Sequence, residues 1–73
     1  MVLEVHLYSD LRRYAPTSST GMLAVDVPDG IVVEELLNEL EINYTEIKTI
    51  VVNGSTSDLQ QVLEDGDHIS LFP

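Results

Sequence analysis

Seventy-three residues suffice for one small domain, close to the size at which a chain buries just enough apolar surface to fold alone, so residues 1–73 are read as a single unit. The absence of cysteine excludes disulfide staples, thiol nucleophiles and thiolate metal sites, leaving close packing of Val, Leu and Ile as the source of stability. Thirteen acidic residues against three basic ones give a formal charge of −10, which disfavours nucleic acid and anionic membranes as partners. That charge either attracts a basic protein surface or simply keeps the protein dissolved. The chain opens directly on a strand pattern with no leader-like segment, and no apolar run approaches the ~20 residues that cross a membrane. A cytoplasmic protein is expected.

Leu3, Val5 and Leu7 alternate with Glu4, His6 and Tyr8, the period of a half-buried strand with its core on the leucine side. Residues 10–15 offer one short helical turn before Pro16, and residues 17–21 form a polar loop. Alternation resumes over residues 22–27 with Leu23, Val25 and Val27 inward, and Pro28-Asp29-Gly30 turns the chain, so the first two strands form a long-looped hairpin. From Val33 the spacing becomes helical. Val33, Leu36, Leu37 and Leu40 line one face, and Glu34, Glu35, Asn38, Glu39 and Glu41 face solvent, which predicts an amphipathic helix of about three turns. After a connector, Thr49-Ile50-Val51-Val52 is β-branched throughout and ends at Asn53-Gly54, a hairpin signal. An edge element follows. Leu59, Val62 and Leu63 punctuate a polar stretch, and Glu64-Asp65-Gly66-Asp67 turns into a last strand, residues 68–72, with Ile69 and Leu71 inward. Hairpin, helix, then strands predicts an α+β domain: a mixed four- to five-stranded sheet with one main helix packed on one face. The other face is left open.

Four segments in this order resemble the MoaD/ThiS family of ubiquitin-like sulfur carriers, most closely the small subunit of molybdopterin synthase. They are Leu7-Tyr8-Ser9-Asp10-Leu11-Arg12-Arg13-Tyr14-Ala15; Val25-Asp26-Val27-Pro28-Asp29-Gly30 with Val33-Glu34-Glu35-Leu36-Leu37; Ile50-Val51-Val52-Asn53-Gly54; and Leu63-Glu64-Asp65-Gly66-Asp67-His68-Ile69-Ser70-Leu71-Phe72-Pro73. The resemblance implies a ubiquitin-like β-grasp fold and a carrier in molybdopterin or tungstopterin cofactor biosynthesis. It implies two partners, an adenylating activating enzyme that uses ATP and a large catalytic subunit. The chain itself is then not an enzyme, binds no cofactor of its own and is a monomer when free. The sequence departs from the family at two points. Val32 stands where Thr commonly precedes the helix, so a capping hydroxyl is missing, a loss of about 1 kcal/mol that Asp29 partly replaces. The family also runs past this Phe-Pro to a Gly-Gly whose carboxylate becomes a thiocarboxylate, whereas Pro73 is the last residue here. Either the native chain extends past Pro73 to Gly-Gly, or the domain is a tailless binding module docking through its open sheet face. A thiazole-type carrier and a ubiquitin-like modifier are further alternatives.

The residues that the alternation turns outward are the candidates for partner binding. Phe72 is an aromatic near the chain end, and Tyr8, His6 and His68 join it on one patch if the first and last strands are neighbours. Two histidines without a third ligand predict no metal site but ordinary solvated side chains. Arg12 and Arg13, the only clustered cations, either bind a partner's acidic groups or pair with Asp10 and Glu4. The helix glutamates form a solvated face. No combination of nucleophile and base is present, so no catalytic residue is assigned.

Overall fold

The computed structural model describes residues 1–73. Five strands form one mixed sheet: β1 (Val2–Leu7), β2 (Met22–Asp26), β3 (Thr49–Val52), β4 (Ser55–Ser57) and β5 (His68–Phe72), in the order β2-β1-β5-β3-β4. The one α-helix, α1 (Val33–Glu39), lies between β2 and β3 in the chain, and 3₁₀ helices span Ser9–Tyr14 and Tyr44–Glu46. β1 and β5 run parallel at the centre, in register from Glu4↔His68 to Leu7↔Leu71, and the other pairs are antiparallel. This is the ubiquitin-like β-grasp.

Alternation along the strands sends Leu3, Val5, Leu7, Ile69 and Leu71 to one face, where they are fully buried. Val33, Leu36 and Leu37 of α1 join them, with Leu11, Ile42, Ile50 and Leu63, in one cluster of 15 apolar residues. Leu23 and Val25 also point inward but are only half-buried, because β2 is the border of the sheet. The weakest apolar pattern belongs to β4, three Ser and Thr residues whose pairing follows from the turn before them. Asn53 and Gly54 both take positive φ, 51° and 84°, the geometry of a two-residue hairpin turn.

Polar side chains lock the turns at this end. The Asn53 amide donates to Asp67 Oδ1 (2.8 Å) while its oxygen accepts from the His68 amide (2.9 Å). Asp67 Oδ2 accepts from the Glu64 amide, and Asp65 Oδ1 accepts from the Val2 amide, both at 2.8 Å. Gly21 is required at the start of β2: its φ is +79°, and a Cβ there would meet the Leu7 carbonyl oxygen at 2.4 Å.

The helix is shorter than its apolar spacing predicts, seven residues and about two turns. Its N-terminus is not capped by Asp29, which instead pairs with the N-terminal ammonium at 3.4 Å. Glu35 accepts from the Val32 amide (3.0 Å), and the carbonyls of Gln61 and Leu59 accept from the Val33 and Glu34 amides, each at 3.0 Å. A distant loop thus fills the donors that a Thr at position 32 would have served in part. The C-terminus closes as a Schellman motif, with Ile42 N–H donating to the Leu37 carbonyl and Glu41 N–H to that of Asn38. Glu41 takes φ +58° to do this. Glycine is favoured at such a position and a side chain is strained there. Glu41→Gly is expected to raise stability by roughly 0.5–1 kcal/mol, the relieved strain exceeding the added unfolded-state entropy. Urea denaturation should show a higher midpoint at unchanged slope.

Candidate partner-docking face

The face opposite the helix carries the outward residues of the central strands. Because β1 and β5 are adjacent, His6 and Tyr8 meet His68 and Phe72 across the strand boundary. His6 and Tyr8 stack with ring centroids 4.1 Å apart and planes 29° off parallel, and Tyr8 packs at a tilt against Phe72 at 4.3 Å. His68 lies nearly parallel to His6, 9° between planes and 6.3 Å between centroids. All four side chains are half-buried by one another. The histidines are therefore packed rather than freely solvated: His68 Nε2 is shielded from water and has no hydrogen-bond partner. No group of three or more His, Asp or Glu side chains is placed to hold a metal ion.

The end of the cluster coincides with the exit of the chain. The Leu71 carbonyl accepts from the Tyr8 amide (3.2 Å) and the Phe72 carbonyl from the Lys48 amide (2.9 Å), so Phe72 is tied on both sides and Pro73 is the first residue free of the sheet. Pro73 is exposed. All three basic residues stand at this end: Arg12 and Arg13 on the 3₁₀ helix after β1, and Lys48 just before β3. Asp10 and Glu46 accompany them. The opposite end, where β1 begins, has Asp26, Asp29, Glu64, Asp65 and Asp67 and no basic side chain, with only the N-terminal ammonium as counterion. The exit end thus gathers every basic side chain of this acidic protein.

The two arginines differ in what they do, and neither pairs with the carboxylates of Asp10 or Glu4. Arg13 forms an ion pair with Glu46, donates to the Asp10 carbonyl (2.9 Å) and lies over the Tyr14 ring, whose hydroxyl also bonds Glu46. Half-exposed, that pair contributes at most about 1 kcal/mol, and it braces the 3₁₀ helix against the connector. Arg12 donates to the Ser19 carbonyl (3.1 Å) and otherwise faces solvent without a carboxylate partner. Arg12 is thus the more available of the two for a partner. Nothing in the sequence points to Glu46, since a lone carboxylate in a connector carries no pattern.

A family model described as Mut7-C ubiquitin matches residues 1–73. No curated protein matches the sequence. Among solved structures, the chain is similar to SAMP1 from Haloferax volcanii, with 23% identity over 100% of this chain and 94% of that one and a TM-score of 0.75. It is similar to a putative molybdopterin converting factor subunit 1 from Pyrococcus furiosus, with 22% identity, coverage of 100% and 97% and a TM-score of 0.79. A complex of subunits 1 and 2 of molybdopterin-converting factor from Helicobacter pylori matches with 24% identity, coverage of 100% and 93% and a TM-score of 0.68.

The rings are expected to support one another before any partner arrives. In a double-mutant cycle, Tyr8→Ala and Phe72→Ala should couple by about 0.5–1.5 kcal/mol in unfolding free energy. Additive losses would mean that the two side chains are independent.

Proposed function

The chain belongs to the Mut7-C ubiquitin family, and from that premise we propose that it works as a ubiquitin-like sulfur carrier, docking through the ring cluster and delivering the chain beyond β5 to a partner's active site. The observation that carries this reading is the coincidence of three features at one end of the sheet: the Tyr8–Phe72 ring pair, the gathered basic side chains and the exit at Pro73. A partner that covers His6, Tyr8 and Phe72 necessarily stands over the place where the chain leaves the sheet. Docking and delivery are then one event.

The chemistry lies with the partners. An activating enzyme joins the terminal carboxylate to the α-phosphate of ATP with release of pyrophosphate, and sulfide-level sulfur (HS⁻) displaces AMP to leave a thiocarboxylate. A large-subunit-like partner of molybdopterin synthase accepts the sulfur. The naming of the Pyrococcus and Helicobacter proteins favours the molybdopterin branch. This chain contributes recognition and positioning and no catalytic residue, and it acts in the cytoplasm beside the ATP-using enzyme. Glycines after Pro73 serve the reading physically, because residues without Cβ thread a narrow channel and adopt varied φ inside it.

A second reading is a docking module without sulfur chemistry. It is favoured by the completeness of the face within residues 1–73, whatever follows Pro73. Mass spectrometry of the protein isolated from its source cell distinguishes the two. The carrier reading predicts a species ending in Gly-Gly, with a fraction heavier by the exchange of one terminal oxygen for sulfur. A native mass ending at Pro73 would contradict the carrier and leave the docking module. On either reading, Arg12→Glu should weaken capture of the partner several-fold at low salt and less at high salt, since a solvent-facing charge acts mainly through screened, long-range attraction.

A further inference from the structure

A second surface lies on the border of the sheet away from the ring cluster. β2 has β1 on one side and nothing on the other. Its bonds to β1 fall at odd positions: Met1 and Val27 exchange both backbone bonds (2.8 and 2.9 Å), and the Leu7 amide donates to the Gly21 carbonyl (2.8 Å). With the register Leu3↔Val25 and Val5↔Leu23, the backbone N–H and C=O groups of Met22, Ala24 and Asp26 point outward from the sheet. An open row of this kind is a template for another strand.

The usual protections of an edge are missing. The register from Val2↔Asp26 to His6↔Met22 runs without a bulge, and β2 contains neither Pro nor Lys. The other border, β4, is only three residues long. What guards β2 is charge. Ala24 and Asp26 share the outer face with Glu4, and the Asp26 side chain is 87% exposed. On the inner face Leu23 and Val25 remain half-exposed, where their neighbours Leu3 and Val5 are fully buried. A second copy, itself at −10, is repelled from this edge. A cationic strand is attracted to it.

We propose that β2 accepts an extended basic segment of a partner protein as a sixth strand, antiparallel to β2. Alternate side chains then divide by chemistry: apolar ones cover Leu23 and Val25, and Lys or Arg side chains meet Asp26 and Glu4 on the other face. The backbone bonds go to Met22, Ala24 and Asp26. β2 and β1 both lie between this edge and β5, although His6 is opposite Met22, so a partner can hold the domain here while the exit at Pro73 stays free.

The probe is the peptide Lys-Val-Lys-Val-Lys-Val-Lys, titrated into the isotope-labelled chain by NMR. Slowing of exchange by about tenfold or more is expected at the amides of Met22, Ala24 and Asp26. The same peptide N-methylated at alternate residues should fail to protect them, having lost its donors but kept its charge. Ala24→Pro should abolish protection with the fold retained, because the Ala24 N–H is not in the β1–β2 ladder. Equal binding by the methylated peptide would show adhesion by charge alone and overturn the proposal. So would amide changes confined to the ring face or the helix, or protection arising from pairing of two copies without peptide.

Discussion

The parallel pairing of β1 with β5 is the contact on which the rest of the molecule depends. It joins the first strand to the last, in register from Glu4↔His68 to Leu7↔Leu71. On the inner face it aligns Leu3, Val5 and Leu7 with Ile69 and Leu71, the centre of the buried cluster. On the outer face the same register brings His6 and Tyr8 to His68 and Phe72. One backbone arrangement therefore makes both the core and the ring-bearing face. Its closure spans nearly the whole chain, so the surface exists only once folding is complete.

The motifs that mark the family turn out to serve this architecture. Asn53 of the Val-Asn-Gly turn and Asp65 and Asp67 of the Asp-Gly-Asp turn accept from the backbone amides of His68, Val2 and Glu64, and Asn53 also donates to Asp67. They fasten the start of β1 to the start of β5 and the end of β3. Their side chains serve the fold. The proposed function rests instead on residues of lesser motif strength: the rings and the cations around the exit.

Much of this was legible in the sequence because it follows period and turn chemistry. The bounds of β3 and β5 coincide with the runs that end at Asn53-Gly54 and begin after Gly66. The meeting of Tyr8 with Phe72 follows from alternation if β1 and β5 are neighbours. What was not legible depends on long-range partners. Nothing in Glu41 announces a left-handed residue, since that position is ordinarily glycine, so the apolar spacing predicts a helix one turn too long. The carbonyls of Leu59 and Gln61 that serve the helix start lie more than twenty residues away and are backbone groups, which no side-chain pattern reveals. Arg13 was free to pair with any carboxylate, and only the folded connector selects Glu46. The half-buried stacking of His68 depends likewise on ring placement across two strands.

The central claim is that partners approach the face bearing Phe72 and not the helix bearing Glu39. Photo-crosslinking in the source cell tests it most directly, with benzoylphenylalanine placed at position 72 or at position 39 of the native chain. The account predicts a discrete protein adduct from position 72 and none from position 39. An adduct from position 39 alone would contradict it.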